Sequence, residues 1–173
     1  MATLLVTNDF PPTIGGIQSY LRDFTDELVR LRGAGSLVVF ASTQDEEEAA
    51  LFDASLPYPV HRWPASMMLP TPATVRRMSE LIREHATTTV WFGAAAPLAV
   101  MGPAARKAGA QRIVATTHGH EVGWSMLPGA RQVLRRIGDS ADTITYISDY
   151  TLRRFRSCLL YTSDAADERS SVD

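Results

Sequence analysis

The apolar residues of this chain follow two different spacings that alternate along it. Short runs at residues 3–7, 37–40 and 113–117 are apolar or β-branched almost throughout, which is typical of parallel strands buried on both faces. Between residues 17 and 32, apolar side chains instead recur at spacings of three and four, as on one face of a helix. That face comprises Ile17, Tyr20, Leu21, Phe24, Leu28 and Leu31. Strands that alternate with helices predict an α/β fold with a mainly parallel sheet and flanking helices.

The rest of the chain continues this alternation. Further strands are predicted at residues 60–63, 90–92 and 143–147. Further helices are predicted at residues 74–85, 97–108 and 129–137, and from a Ser148 cap to about residue 156. The acidic stretch at residues 44–48 is expected to be a solvated surface segment that begins a short helix or a loop. Because parallel sheets bind ligands at the carboxyl ends of their strands, functional residues are expected in the strand-to-helix loops.

Composition narrows the function classes. With 173 residues, of which 45% are hydrophobic and 21% charged, the chain resembles an ordinary soluble domain. Its net charge of −2 excludes the strong positive field with which nucleic-acid-binding proteins capture phosphates. The single cysteine, Cys158, excludes an internal disulfide and a multi-thiolate zinc site. The N-terminus does not resemble a secretory signal and no stretch is apolar enough to span a bilayer, so any membrane contact is expected to be peripheral.

Residues 158–173 differ in composition from the rest of the chain. They are rich in Ser, Asp and Ala, with four acidic residues against one basic residue. Their pattern does not continue a strand–helix unit, and it resembles the translation of a sequencing adapter. We therefore predict a domain at residues 1–157 followed by a non-native or disordered tail at residues 158–173, which is left out of the functional reasoning.

The first candidate site lies just before the first predicted helix. Gly15 and Gly16 leave the backbone N–H groups open to a ligand, because no side chain stands in the way. The positive end of the helix dipole favours an anion there, so phosphate or a sugar hydroxyl would suit this position. The adjacent glycines do not match the spaced fingerprint of dinucleotide-binding dehydrogenases. A glycine pair that only shapes a turn is the alternative.

The second candidate site follows the strand predicted at residues 113–117. His118, His120 and Glu121 crowd the expected carboxyl end of that strand. An imidazole can bond to a sugar hydroxyl or stabilise developing charge, and Gly119 permits the turn that directs it. The alternatives are a structural or merely exposed histidine and a metal cluster. The spacing does not match a helical zinc motif, so we predict no metal.

The third candidate is a membrane-docking surface between residues 67 and 85. Met67 and Met68 lie in an apolar loop that is expected to be exposed, before a helix that carries Arg76 and Arg77. Apolar and basic residues together suit an anionic bilayer surface. The alternative is an ordinary surface helix whose core-facing stripe consists of Val75, Met78, Leu81 and Ile82.

Three segments together resemble the family 4 retaining glycosyltransferases. They are the PPTIGGIQ run at residues 11–18, the HGHE run at residues 118–121 and the YISDYT run at residues 146–151. Residues 118–124, with Pro128-Gly129 and Arg135-Arg136, are similar to the actinobacterial enzymes that use GDP-mannose to extend phosphatidylinositol mannosides. The resemblance covers residues 1 to about 155.

This resemblance implies a GT-B fold, in which two Rossmann-like domains face a cleft and the N-terminal one mostly contacts the acceptor. The chain would be that N-terminal domain, without the C-terminal domain that binds the nucleotide-sugar. By the same resemblance, Gly15 and Gly16 would contact donor phosphate or acceptor, and Gln18 would help to form the acceptor pocket. His118 would be the catalytic residue beside the transferred sugar, with His120 and Glu121 as further substrate contacts.

The implied reaction transfers mannose from GDP-mannose to a phosphatidylinositol mannoside lipid with retention of anomeric configuration. No permanently bound cofactor is expected, and the implied location is cytoplasmic, at the inner face of the plasma membrane. Because half of the cleft would be missing, the chain alone is expected to be inactive. Two alternatives stay open. One is a family 4 glycosyltransferase with a soluble acceptor, and the other is a non-catalytic module that binds a phosphorylated ligand.

Overall fold

The computed structural model describes residues 1–119, 128–146, 148 and 153. In chain order, its strands are β1 Ala2–Thr7, β2 Leu37–Ser42, β3 Val60–Trp63, β4 Thr87–Phe92, β5 Arg112–Thr117 and β6 Thr143–Tyr146. Its α-helices are α1 Gly16–Arg32, α2 Glu46–Ala54, α3 Pro72–Glu84, α4 Gly102–Ala108 and α5 Pro128–Ser140. Short 3₁₀ turns at Ala34–Ser36 and Leu98–Met101 precede β2 and α4. Over the described residues, the predicted alternation of strands and helices is confirmed.

The strands form one parallel sheet in the order β3-β2-β1-β4-β5-β6. The chain moves outward from β1 to β3, crosses back, and then moves outward in the other direction from β4 to β6. Because parallel crossovers are right-handed, α1 and α2 cover one face of the sheet and α3, α4 and α5 cover the other. The direction switches between β1 and β4, so the loops after these strands lie side by side at the carboxyl edge. A Rossmann-like sheet binds its ligand at such a switch point.

Capping residues set the helix boundaries more closely than the apolar spacing does. Asp45 begins α2 by accepting a hydrogen bond from the Glu48 N–H at 2.9 Å. Thr71 and Thr74 form a reciprocal capping box, so α3 begins at Pro72, before the predicted start at residue 74. The prediction of one helix over residues 97–108 is wrong. A 3₁₀ turn comes first, because Pro103 is tolerated in the first turn of an α-helix and not in its interior.

Both faces of the sheet carry a buried cluster. The cluster under α3, α4 and α5 includes Phe40, Met78, Leu81, Ile82, Phe92, Leu134 and Ile137. The cluster under α1 and α2 includes Leu5, Leu21, Leu37, Val39 and Trp91. The core-facing stripe predicted for α3 is confirmed at its Met78, Leu81 and Ile82 positions.

The apolar face predicted for α1 is only partly buried. Leu21 is fully buried, whereas Phe24 is 52% exposed and Leu31 is 65% exposed. Leu31 lies in the last turn of α1, outside both core clusters. Phe24 borders an open groove of about 250 Å³ between α1 and strands β4 to β6, so its ring packs on Tyr20 without being enclosed. Apolar spacing alone could not show that the sheet leaves this part of α1 uncovered.

Candidate functional site

His118 lies directly after β5, at the carboxyl edge of the sheet and next to the loop that follows β4. Its Nε2 atom is 2.7 Å from the Gly93 carbonyl oxygen. A carbonyl can only accept, so Nε2 carries the proton and donates it to Gly93. The edge of the Tyr20 ring meets the imidazole with centroids 5.3 Å apart and planes at 87°. These two contacts fix the tautomer and the direction of the His118 ring.

Two glycines make this arrangement possible. A Cβ atom at Gly93 would lie 2.9 Å from Leu21, 3.0 Å from Thr7 and 3.1 Å from Leu5, so a larger residue would force these packed side chains to shift. The close packing brings the Gly93 carbonyl to the His118 ring. Gly119 has φ +90°, the left-handed region that glycine adopts readily, which agrees with the predicted turn after His118.

The N-terminus of α1 lies on the same edge of the sheet. Gly15 is the N-cap residue, no side chain caps the helix, and its first turn contains no acidic residue. Uncapped N–H groups and the positive end of the helix dipole together favour an anionic group. Tyr20, about one turn further along α1, links this terminus to His118. The structure thus brings Gly15, Gly16 and His118 to one edge.

Gln18 lies over Gly15. A Cβ atom at Gly15 would be only 2.3 Å from the Gln18 Oε1 atom, so the side-chain amide occupies the space that glycine leaves open. The Gln18 Nε2 group donates to Asp9 Oδ1 at 3.3 Å. A Cβ atom at Gly16, by contrast, would meet nothing within 4 Å. Gln18 is therefore positioned where it can contact a ligand that approaches the glycine pair.

Asn8, which follows β1, fixes the loop before α3. Its Nδ2 group donates to the Met68 carbonyl at 3.0 Å, and its Oδ1 atom accepts from the Met68 N–H at 2.7 Å. These two hydrogen bonds to the backbone direct the Met68 side chain into the core, where it is fully buried. The expectation that Met68 is exposed for membrane docking is therefore wrong. Its neighbours Met67 and Leu69 are 63% and 48% exposed.

The two arginines predicted for membrane docking have different surroundings. The Arg76 side chain is 79% exposed. Arg77 is only 34% exposed, and its Nη1 atom is 3.4 Å from the Glu80 carboxylate and 3.3 Å from the Glu84 carboxylate. Arg76 also has an acidic partner, since its Nε atom is 3.8 Å from the Glu80 carboxylate, but it is the more exposed of the two arginines and so the better presented cation. None of the helices among the described residues has the length and apolar character needed to cross a bilayer.

Sequence reasoning did not identify four residues that shape this edge: Asn8, Tyr20, Arg62 and Gly93. Arg62 lies on β3, yet its guanidinium donates to the Pro11 carbonyl at 2.6 Å and forms a salt bridge with Asp53 at 2.7 Å. The position of Asn8 and Gly93 directly after strands β1 and β4 was an available signal. Tyr20 and Arg62 gave none, because their contacts are distant in sequence.

Part of the second predicted site lies outside the described residues. His120 and Glu121 both fall there, so their roles stay predictions. Within the described residues, no three His, Cys, Asp or Glu side chains come together as metal ligands. The metal reading of His118, His120 and Glu121 is therefore untested.

Burial raises the pKa of the Tyr20 phenol, so the Tyr20 hydroxyl is neutral at physiological pH.

Comparison with known proteins gives the family. The model of glycosyltransferase family 4 matches residues 14–164. The chain is 63% identical over 155 residues to a Corynebacterium glutamicum GDP-mannose-dependent monoacylated alpha-(1-6)-phosphatidylinositol monomannoside mannosyltransferase, covering 90% of this chain. It is 58% and 57% identical to the GDP-mannose-dependent alpha-(1-6)-phosphatidylinositol monomannoside mannosyltransferases of Mycolicibacterium smegmatis and Mycobacterium tuberculosis, over 89% of this chain. The matched region spans 40% of the length of each relative.

The family match extends over most of the chain, and the fold agrees with it. A six-stranded parallel Rossmann-like sheet, the fold that the resemblance implied, places His118 and the glycine pair at its switch-point edge. The chain therefore belongs to glycosyltransferase family 4.

Proposed function

We propose that this chain is the acceptor-side part of a retaining mannosyltransferase that transfers mannose from GDP-mannose to a phosphatidylinositol mannoside. The identity of 57–63% to relatives named for this activity supports the reaction class. The observation that carries the assignment of the site is the fixed His118 ring beside an uncapped helix N-terminus. A donor substrate carries a sugar and a diphosphate, and the imidazole and the helix N-terminus would each bind one of them.

His118 is proposed to bind the transferred sugar. The imidazole directs its Nε2 proton to the Gly93 carbonyl, and this fixed ring would form one wall of the pocket for the transferred sugar. The contacts with Gly93 and Tyr20 hold the ring in place before the ligand arrives. A pre-oriented hydrogen-bonding group stabilises a transition state without a further cost of reorganisation.

The N-terminus of α1 is proposed to attract the anionic part of a substrate. Gly15 and Gly16 would offer backbone N–H groups to a phosphate, and Gln18 would contact the acceptor beside them. The free N–H groups and the helix dipole together supply partial positive charge where the leaving diphosphate or the lipid phosphate would lie. His120 and Glu121 are kept as further substrate contacts. In this proposal the donor is a substrate, and no resident cofactor is needed.

The boundary of the domain is also a proposal. Residues 1–157 would form the acceptor-side domain, and residues 158–173 would be a non-native or disordered tail. Since the match spans only 40% of each relative, donor binding would depend on a further domain. Positioning and exclusion of water both need the two walls of a cleft, so the 173-residue chain alone should not turn over substrate.

A lipid acceptor would bring the protein to a membrane surface, and we propose that this is the inner face of the plasma membrane. Met67, Leu69 and Arg76 are proposed to meet the anionic headgroups, with Arg77 as a weaker contributor and Met68 excluded by its burial. Each basic residue near an anionic surface contributes about 1 kcal/mol to binding. The contribution would fall as salt screens the charge.

The experiment uses the protein extended to the length of its relatives, purified and supplied with radiolabelled GDP-mannose. Two acceptors are compared: phosphatidylinositol monomannoside in anionic vesicles and a soluble inositol mannoside without acyl chains. The proposal predicts transfer to the lipid with retention, and no transfer by the 173-residue chain.

Other results would overturn parts of this proposal in distinguishable ways. Transfer only to the soluble acceptor, without vesicle sedimentation, would identify a family 4 enzyme with a soluble substrate. Transfer from another nucleotide-sugar would replace GDP-mannose. Tight, saturable binding of a phosphorylated ligand by the chain alone, with no transfer by the longer protein, would identify a binding module.

A further inference from the structure

Arg62 connects four parts of the structure that are distant in sequence. From β3, its Nε and Nη2 atoms donate to the two carboxylate oxygens of Asp53 in α2, at 2.9 and 2.7 Å. Its Nη1 atom donates to the Ser42 carbonyl at the end of β2, at 3.1 Å. Its Nη2 atom also donates to the Pro11 carbonyl at 2.6 Å. All three nitrogens of the guanidinium are thus used at the carboxyl edge of the sheet.

The Arg62 side chain also packs against Phe10, the residue before Pro11. The Arg62 Cζ atom lies 5.4 Å from the centroid of the Phe10 ring, and that ring also forms an edge-to-face pair with Phe52. Phe10 is 3% exposed, and the Arg62 and Asp53 side chains are 15% and 17% exposed. In this sheltered setting the ion pair is screened little by solvent. Phe10 and Pro11 are therefore held by both a ring contact and a charge-assisted hydrogen bond.

We infer that Arg62 is a positioning residue for the glycine pair at the N-terminus of α1. Pro11 begins the short segment that leads to Gly15, and Arg62 fixes the carbonyl at the start of that segment. The Gly15 carbonyl accepts from the Ser19 N–H at 3.0 Å, so the far end of the segment is set by the first turn of α1. Arg62 touches no substrate in this inference and acts only through the backbone. The inference rests on the proposed role of Gly15 and Gly16 in substrate binding.

The geometry also predicts which substitutions fail to replace Arg62. Arginine has five N–H donors in a rigid planar fork, whereas lysine has three donors on a single nitrogen. A lysine ammonium cannot reach both Asp53 oxygens and the carbonyls of Ser42 and Pro11 at once. Arg62→Lys should therefore displace the glycine loop, residues 11–16, as much as Arg62→Gln does, although lysine keeps the charge.

Arg106 offers a matched control at the other end of the sheet. It forms a salt bridge with Asp142 and donates to the Gln111 carbonyl at 2.9 Å, the same combination of carboxylate and backbone acceptors. None of these partners belongs to the glycine loop. Arg106→Lys thus removes a comparable set of guanidinium hydrogen bonds, to Asp142 and Gln111, without changing the proposed site.

The first measurement is independent of catalysis. Backbone amide resonances of Gly15 and Gly16 are recorded by ¹H–¹⁵N NMR in the 173-residue chain, for the wild type, Arg62→Lys and Arg106→Lys. The inference predicts that both glycine resonances move in Arg62→Lys and stay in place in Arg106→Lys. Equal shifts in the two variants, or none in Arg62→Lys, would overturn it. If Arg62→Lys does not fold, Asp53→Asn, which weakens the fork from the other partner, must shift the same two resonances.

The second measurement joins the inference to the proposed function. In the longer protein, Arg62→Lys should lower kcat/KM by about tenfold or more, because displacing a binding loop misaligns the reacting groups. Arg106→Lys should leave kcat/KM unchanged at a comparable Tm. A wild type without mannosyl transfer would refute the proposed function and leave the NMR result standing. Unchanged kinetics in Arg62→Lys with an active wild type would refute the positioning role.

Discussion

The two ends of the sheet use similar polar residues for different purposes. At the amino end, Asp142 accepts from the Ile113 N–H at 2.6 Å and from Arg106 at 2.5 Å, which ties α4 and β5 to the start of β6. At the carboxyl end, Asn8, Arg62 and His118 each form a hydrogen bond with a backbone group of a loop. The amino-end contacts join secondary structure, whereas the carboxyl-end contacts hold loops beside an uncapped helix terminus. The second arrangement is what a binding edge requires.

The largest effect is expected for two neighbouring methionines at the carboxyl end. Met68→Ala should lower the free energy of unfolding by about 2–5 kcal/mol, because the side chain is fully buried and its removal leaves a cavity. Met67→Ala, at a side chain that is 63% exposed, should stay within about 0.5 kcal/mol of the wild type. Urea denaturation of the two variants measures both values. Equal losses would contradict the Asn8-directed orientation of this loop.

The second prediction concerns the glycine that meets His118. Gly93→Ala should lower the free energy of unfolding by about 1–3 kcal/mol, because the added Cβ would lie 2.9 Å from Leu21 in a packed core. Gly16→Ala is the control, since a Cβ there meets nothing within 4 Å and alanine favours a helix. Thermal unfolding compares the two variants. A stable Gly93→Ala protein would show that α1 can shift away from the sheet without loss.

Most of the fold could be predicted from the sequence, because strands and helices depend on local spacing and composition. The side-chain directions could not. Met68 is buried because Asn8, distant in sequence, binds its backbone, and Phe24 stays exposed because the sheet leaves a groove beside it. Arg62 reads as an ordinary strand residue until its contacts with Pro11 and Asp53 are seen. The position of His118 in a turn after a strand could be predicted, because both features are local, while its role stays a prediction.

A third, smaller effect is expected at the amino end. Burial alone would raise the pKa of Asp142, but hydrogen bonds from the Ile113 N–H and from Arg106 outweigh it and lower the pKa. A lowered folded pKa contributes stability above the unfolded value of about 3.9, and this stability is lost as pH falls through the folded pKa. Asp142→Asn should lower the free energy of unfolding at neutral pH by no more than about 1 kcal/mol, because solvent screens a carboxylate that is 39% exposed, and it should flatten the acid limb of the stability curve. An unchanged acid limb in equilibrium denaturation would contradict this assignment.

The smallest predicted effect concerns His61 and His85, whose Nε2 atoms are 3.0 Å apart. Burial has the largest effect in lowering the pKa of His61, and the positive charges of His85 and Arg77 lower it further. The unfolded chain therefore takes up a proton first, so stability should fall as pH drops below about 6.5 and level off below the folded pKa. The loss should be under about 1 kcal/mol, and His61→Asn should remove it. Asp142→Asn should retain this loss of stability. If stability still falls below about pH 6.5 in His61→Asn, a group other than His61 is responsible.

His118 and the glycine loop are proposed to form the acceptor-side half of a mannosyl-transfer site. The most direct test measures mannose transfer by the longer protein with His118→Ala, with Tm recorded for the same sample. We expect kcat to fall about a hundredfold or more, the usual effect of removing a group that stabilises a transition state, with Tm close to that of the wild type. Transfer at the wild-type rate by a folded His118→Ala protein would contradict it.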